Sequence, residues 1–188
     1  SFSLNYLSYF FFLLVSIIGC ATNIYVLNYF RGESDEGKFL FWLNSFIFSM
    51  IIFVLGNNFF TLFLGWELIG LTSFFLINFW TNRKATLKSS IKAFTFNLAS
   101  DIFFLTALIS FYKLTNTTDC DTFIYIILWE GIGNDSLFNL GILTLILACS
   151  IKSVQIGGHL WLPDSMEAPV PASALIHSAT LVSAGIFL

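Results

Sequence analysis

Residues 1–30 read SFSLNYLSYFFFLLVSIIGCATNIYVLNYF and contain no Asp, Glu, Lys, Arg or His. A helix needs about 20 mostly apolar residues to cross roughly 30 Å of hydrocarbon, so this stretch spans a bilayer with residues to spare. It lacks a basic start, and its apolar run exceeds the roughly 7 to 15 residues of a signal-peptide core. We therefore interpret it as a membrane anchor.

The whole chain has the composition of a membrane protein. Hydrophobic residues make up 57% and charged residues 10%, whereas a soluble domain carries about 25% charged residues. This inventory excludes a water-soluble enzyme domain, and a net charge of −3 is too small to indicate a nucleic-acid partner. We predict an all-α polytopic bundle of about six spans, one of them discontinuous, at about 4–30, 38–55, 58–80, 91–111, 137–160 and 171–188.

Charged residues collect in the connecting loops, which we expect to alternate between two sides. By the positive-inside rule the basic loops face the cytoplasm or matrix. We predict residues 81–90 as a short amphipathic helix on the membrane surface or as a solvated loop. The basic side carries Arg31, Lys38, Arg83, Lys84, Lys88 and Lys92, and the opposite, acidic loop carries Asp119, Asp121, Glu130 and Asp135 with Lys113.

The cysteines do not form a recognisable site. Cys20 and Cys149 lie in apolar spans, where a thiol behaves as a small hydrophobe, and Cys120 is alone in the acidic loop. Without a CxxC or Cys/His spacing, the sequence predicts neither a metal site nor a disulfide.

Four titratable residues fall inside otherwise apolar spans: Glu67, Asp101, Lys152 and His177. A charge at the bilayer centre costs roughly 2.5 to 3.5 kcal/mol on insertion scales, so each side chain should face the bundle interior and have a partner. Each has an alternative explanation when taken alone. A single carboxyl group can be a protonated structural residue, and a single histidine is more often a packed polar residue. Four of them on separate helices favour a functional site.

Helical spacing predicts polar stripes on three of these spans. If the stripes converge, they form a hydrated, titratable path across the bilayer. Residues 157–158 are both glycine and loosen the helix next to Lys152, and prolines break it further along. His159 and Trp161 are expected to be interfacial anchors. The stripes are Asn97, Ser100 and Asp101; Lys152, Gln155 and His159; and Ser173, His177 and Thr180, with the break at Gly157, Gly158, Pro163, Pro169 and Pro171.

Four segments resemble the subunit 5 family of respiratory complex I, the distal antiporter-like subunits of NADH dehydrogenase. They are GWELIGL at 65–71, LINFW at 76–80, KSVQIGGHLWLPDSMEAPVP at 152–171 and SALIHSAT at 173–180. The resemblance covers about 39–188, whereas residues 1–38 fit only by position. It implies an N-terminal transmembrane helix with a charged loop at 1–38 and a proton-translocating, antiporter-like bundle, the first inverted repeat, at 39–188.

The resemblance implies roles for individual residues. Glu67 would pair electrostatically with Lys152, the central proton-exchanging group. Asp101 matches the aspartate of the following span, and His177 matches a relay toward the membrane centre. The aspartate and histidine favour subunit 5 over its sister subunits, which tend to carry lysine where His177 stands. Supporting polar roles would fall to Asn97, Ser153, Gln155, His159 and Thr180.

The resemblance also implies what lies outside this chain. Family members have a second, inverted half with another lysine and a lateral helix, so complete translocation would depend on another segment or polypeptide. We expect no cofactor here, with NADH, FMN, iron–sulfur clusters and ubiquinone in other subunits. Expected partners are the missing C-terminal half, the adjacent antiporter-like subunit 4 and lipids, in the mitochondrial inner membrane with the basic loops in the matrix. The alternatives are a subunit of a multisubunit sodium/proton antiporter and a purely structural membrane subunit.

Overall fold

The computed structural model describes residues 2–3, 5–33, 35–130, 135–155, 157–177 and 181–188. Within these ranges the regular elements are helices. Two short 3₁₀ turns, His159–Trp161 and Asp164–Glu167, lie between α6 and α7. The helices are α1 Tyr6–Tyr29, α2 Glu36–Leu55, α3 Phe59–Ile77, α4 Lys84–Thr115, α5 Cys120–Glu130, α6 Ser136–Lys152, α7 Val170–Leu175 and α8 Leu181–Phe187.

The predicted transmembrane helix bundle is confirmed. Helices α1 to α4 are each long and apolar enough to cross a membrane. Helix α4 has 32 residues, which corresponds to about 48 Å at 1.5 Å per residue. It begins at Lys84, so residues 84–90 are the first turns of this long helix. Both predictions for 81–90, a separate surface helix and a solvated loop, are therefore wrong for most of that segment.

Backbone hydrogen bonds place the loops on two faces of the bundle. The Ser3 N–H donates to the carbonyl of Leu55 at 3.0 Å, and the Cys120 N–H donates to the carbonyl of Asn57 at 3.1 Å. The chain start, the α2–α3 turn and the α4–α5 junction thus lie on one face, together with Asp119 and Asp121. The opposite ends of these helices carry the basic loops, so the predicted alternation is observed.

Glycine allows the closest helix contacts. A Cβ atom added at Gly65 of α3 would lie 2.7 Å from the Cα of Phe53 on α2, and one at Gly141 of α6 would lie 2.5 Å from the Phe111 ring on α4. Both distances are shorter than van der Waals contact. Helix α2 therefore packs closely against α3, and α4 packs closely against α6.

Helix α5 was not predicted. The sequence indicated an acidic loop, but residues 120–130 form a helix. The acidic residues at its ends made its apolar middle look like part of a loop. Phe123 anchors it, with ring centroids 5.2 Å from Phe59 and 4.9 Å from Phe111. Its outer face exposes Leu128 and Trp129. The polar stretch after α4 is therefore partly a packed, amphipathic element.

The break in the fifth span begins earlier than predicted. Helix α6 ends at Lys152, Val154 has φ of 63° and Gly157 has φ of 98°. Both values lie in the left-handed region, which cannot continue a right-handed helix. The predicted stripe of Lys152, Gln155 and His159 is therefore wrong, because the last two residues follow the helix end and are exposed.

The prolines act differently from one another. Pro163 and Pro169 lie in the irregular segment, as predicted, whereas Pro171 is in the first turn of α7, where a missing N–H is tolerated. Trp161 is fully buried, and its Nε1–H donates to the Ile151 carbonyl at 3.2 Å. The prediction of an interfacial anchor is therefore wrong for Trp161. Its neighbour His159 is exposed.

Candidate functional site

Lys152 lies at the C-terminal end of α6 with 0% of its surface exposed. Its Nζ donates a hydrogen bond to the backbone carbonyl of Trp66 on α3 at 2.7 Å. The same nitrogen lies 4.0 Å from the centroid of the Trp66 ring. An amine buried in this way must be held by polar or aromatic groups, since an unpaired charge in hydrocarbon is expensive. Trp66 provides both kinds of contact.

Helices α3 and α4 pack against each other beside this amine, and each contributes a pair of residues to the contact. Trp66 and Gly70 are four apart on α3, and Asn97 and Asp101 are four apart on α4, so each pair occupies one helix face. A Cβ atom at Gly70 would lie 3.7 Å from the Cβ of Asn97. Both α4 residues are buried, as the predicted polar stripe requires. Ser100 Oγ donates to the Ala148 carbonyl at 3.0 Å and so joins α4 to α6.

Two carboxyl groups lie near Lys152. They belong to Asp101 on α4 and Glu67 on α3. Neither has an oxygen within 4.0 Å of Lys152 Nζ in the structure as described. The carboxyl groups therefore lie near the amine without closing an ion pair on it.

Among the described residues, three buried polar atoms in this region make no hydrogen bond of standard geometry: Trp66 Nε1, Asn97 Oδ1 and Asp101 Oδ1. Buried polar groups are normally satisfied, and a buried water molecule is the usual partner where protein atoms do not serve. The mixture of one donor, two acceptors and an ammonium suits water better than a metal ion. We name Trp66, Glu67, Asn97, Asp101 and Lys152 the lysine cluster.

His177 lies in a different environment. Its ring is half-buried in the turn that follows α7, and its Nε2 lies 3.3 Å from Ser165 Oγ. Its Nδ1 is buried and has no hydrogen-bond partner among the described residues. The ring borders an open groove of about 540 Å³. We name the residues that line it the histidine groove: Met166, Val170, Ser173, Ala174 and His177.

The structure brings together some of the predicted site residues and separates others. Glu67, Asn97, Asp101 and Lys152 form one cluster, whereas no hydrogen bond among the described atoms joins His177 to it. Ser153 Oγ donates to the Cys149 carbonyl of its own helix at 2.6 Å. Gln155 and His159 are exposed, and Thr180 lies outside the described residues.

Sequence reasoning missed three contributors. Trp66 was quoted as part of a motif but given no role, although its position next to Glu67 was a signal. Ser165 contacts His177 across the proline-rich segment. Lys92 and Asp164 form an ion pair of 2.6 Å between α4 and the second 3₁₀ turn. Contacts of this kind join residues far apart in the chain, so periodicity could not reveal them.

The described residues contain no group of three His, Cys, Asp or Glu side chains able to hold a metal ion. The polar groups that are buried together are instead single acids and bases on different helices. Groups of this kind can bind and release protons.

Comparison with known proteins agrees with this architecture. The sequence profile described as "NADH:quinone oxidoreductase/Mrp antiporter, TM" matches residues 56–188. NADH-ubiquinone oxidoreductase chain 5 of Paramecium tetraurelia is 48% identical over 194 residues, covering 100% of this chain and 34% of that protein. NADH-quinone oxidoreductase subunit L of Rickettsia typhi is 38% identical over 181 residues, covering 94% of this chain and 28% of that protein.

A solved structure shows the same helix arrangement. A chain in the Mrp complex from Dietzia sp. DQ12-45-1b superposes with a TM-score of 0.91 and 29% identity, covering 99% of this chain and 20% of that chain. The chain thus spans about a third or less of the length of these relatives. The predicted resemblance is confirmed: the chain belongs to the NADH:quinone oxidoreductase/Mrp antiporter transmembrane family.

Proposed function

We propose that this chain forms the input half of a proton-translocation path in the membrane part of a respiratory NADH:ubiquinone oxidoreductase. The observation that carries the proposal is Lys152. Its amine is fully buried, is held by Trp66, and lies under the influence of two carboxyl groups on other helices. A buried lysine of this kind is expensive to maintain and is expected in membrane proteins at sites of proton or ion transfer.

The proposed transfer uses an amine that exchanges one proton. A negative carboxylate near Lys152 stabilises the ammonium form, and neutralisation or displacement of that carboxylate favours release of the proton. Because Asp101 and Lys152 lie in one buried cluster, proton exchange there belongs to the pair and not to either group alone. Water at the unpartnered atoms of Asn97 and Asp101 would connect this unit to neighbouring groups. His177, with its own unpartnered Nδ1, would be the next proton acceptor.

The wider setting is part of the same proposal. The two protein relatives described above carry names of NADH oxidoreductase subunits, so NADH, FMN, iron–sulfur clusters and ubiquinone would belong to other subunits. Segments beyond this chain, a C-terminal half above all, would supply the exit path, and an antiporter-like subunit 4 would adjoin it. The location would be the mitochondrial inner membrane, with the basic loops in the matrix and lipids around the bundle.

The decisive experiment replaces Lys152 by Met in the complete enzyme reconstituted into vesicles. We expect proton translocation per NADH oxidised to be severely reduced, because Met fills the space without binding a proton. Lys113→Met is the matched control, since this exposed lysine of α4 lies on the acidic face, away from the cluster. Translocation should stay at the unsubstituted level in the control. An undiminished proton ratio in the Lys152→Met enzyme would refute the proposal and favour a purely structural subunit.

A second candidate is a subunit of a sodium/proton antiporter. The observation favouring it is the superposition on a chain of the Mrp complex. The two candidates differ in driving force. Vesicles with the assembled protein would be given a sodium gradient without NADH, and the internal pH would be followed. A sodium-driven pH change that requires Lys152 would favour the antiporter, and its absence together with NADH-driven acidification would favour the oxidoreductase.

A further inference from the structure

Trp66 contacts Lys152 through two of its parts. Its carbonyl oxygen accepts a hydrogen bond from Nζ at 2.7 Å, and its ring centroid lies 4.0 Å from the same nitrogen. A cation within about 6 Å of an indole face is attracted by the negative charge of the π system. The Trp66 ring face and the Trp66 carbonyl therefore both hold the amine in place.

The orientation of the Trp66 ring is fixed by packing. The side chain is fully buried, and its ring centroid lies 4.8 Å from that of Phe104 on α4 and 5.8 Å from that of Phe53 on α2. Gly65, the preceding residue, lets α3 approach the Phe53 backbone closely. Helices on two sides therefore prevent the indole from turning away from Lys152.

The other end of the indole is unsatisfied. Trp66 Nε1–H and Asp101 Oδ1 are both buried and neither makes a hydrogen bond of standard geometry to a described atom, although the two side chains lie near one another. One is a donor and the other is an acceptor, and both residues lie at the interface of α3 and α4 that faces Lys152. A hydrogen bond between them, made by a small shift or through one water molecule, would satisfy both atoms.

We propose that Trp66 is the positioning residue of this site, with its ring face holding the Lys152 amine and its N–H serving Asp101. An aromatic face attracts a cation but cannot take its proton. Trp66 therefore keeps the amine in place and leaves the proton available to the groups that exchange it, which a carboxylate in direct contact would not do. The inference rests on the proposed function of Lys152 and adds a residue to which sequence reasoning assigned no role.

Graded fluorination of the Trp66 indole in the assembled enzyme tests the ring face. Fluorine withdraws charge from the π system and changes the size of the ring only slightly, so a merely structural role should be insensitive to it. We expect proton translocation per NADH oxidised to fall with each added fluorine. Loss of a typical cation–π contact would change the equilibrium between a Lys152 amine held at the ring and one released from it roughly 2- to 30-fold. The same fluorinated series at Trp42, which stacks on Phe75 at 4.1 Å, is the matched control.

Two substitutions separate the ring from its N–H. Trp66→Phe keeps an aromatic face and loses the donor, whereas Trp66→Leu loses both. We expect the order of translocation to be Trp, then Phe, then Leu, with comparable amounts of assembled enzyme and comparable NADH oxidation. A flat fluorinated series, or a Phe variant that translocates no better than the Leu variant, would overturn the inference.

A Lys152→Met enzyme measured in the same vesicles keeps the two proposals distinguishable. If it translocates protons normally, the proposed function itself fails. If it does not translocate and fluorination at Trp66 has no effect, Lys152 keeps its role and only the role of Trp66 is refuted.

Discussion

The lysine cluster and the histidine groove place titratable groups in opposite surroundings. Lys152 is fully buried and contacts the indole and the carbonyl of Trp66 on α3. His177 is half-buried, contacts one hydroxyl group and borders an open groove of about 540 Å³. Under the proposed function, this difference would correspond to a division of roles. An enclosed amine can keep a proton away from bulk water, whereas a group beside a groove can exchange it with its surroundings.

The two regions are also held differently. The lysine cluster is built on long helices in close contact, so its geometry follows from the bundle core. The histidine groove is built on a short helix, a 3₁₀ turn and the segment between them. Substitutions in the cluster should therefore affect translocation most, and those around the groove should affect access and stability.

The largest effect is expected from the two carboxyl groups of the lysine cluster. Glu67→Gln and Asp101→Asn should each lower proton translocation per NADH oxidised, because each removes a charge that acts on Lys152. The double variant should lose less than the two single losses combined, with a coupling of about 0.5 to 3 kcal/mol. Glu33→Gln, an exposed carboxylate next to α1, is the control. Additive losses would show that the two carboxyl groups serve separate steps and do not share one amine.

Thiol labelling should separate the two regions clearly. Ser100 is fully buried between α4 and α6, and Ser173 is half-buried in the histidine groove. With the three native cysteines replaced by serine, Ser173→Cys should react with a small water-soluble thiol reagent about tenfold faster or more than Ser100→Cys, since reactivity follows access and thiolate fraction. Equal labelling rates would contradict the division into an enclosed and an open region.

Two glycines of α3 test how rigidly the lysine cluster is held. Gly65→Ala forces a Cβ to 2.7 Å from the Phe53 backbone, whereas Gly70→Ala places one at an ordinary 3.7 Å from Asn97. Overpacking of the first kind costs about 1 to 3 kcal/mol. We expect a lower unfolding temperature of the assembled protein for Gly65→Ala and little change for Gly70→Ala. If the two variants unfold alike, the contact between α2 and α3 is more adaptable than the structure indicates.

The smallest effect is expected from the ion pair that ties the second 3₁₀ turn to α4. Lys92 and Asp164 are both substantially exposed, and exposed pairs contribute about 0.2 to 1 kcal/mol. Lys92→Ala and Asp164→Ala should each shift the unfolding temperature slightly, and the double variant should differ little from either. A large loss of translocation in these variants would mean that the turn transmits its position to Ser165 and His177.

Much of this organisation followed from sequence because the bilayer imposes simple rules. Long runs without charges predicted the transmembrane bundle, and the cost of buried charge identified Glu67, Asp101 and Lys152 before any geometry was known. Asn97 and Asp101 share a face as predicted, because they lie within one continuous helix. Periodicity holds wherever regular helix continues.

The failures have physical causes of their own. The stripe of Lys152, Gln155 and His159 assumed that the helix continued, but backbone conformation at Val154 ended it, and a valine in sequence gives no sign of a left-handed turn. Helix α5 was missed because its acidic ends resembled a loop. The contact between Trp66 and Lys152 joins residues 86 positions apart, and no local pattern encodes such a contact.

The conformation of Val154 has a consequence for how the site could change shape. A β-branched residue at φ of 63° is a genuine outlier, and such residues store on the order of 1 to 3 kcal/mol. This joint lies two residues beyond Lys152. A return of Val154 to negative φ would release that stored energy and redirect the chain leaving α6. The strained residue therefore favours a change of backbone direction at the end of the helix that carries the amine.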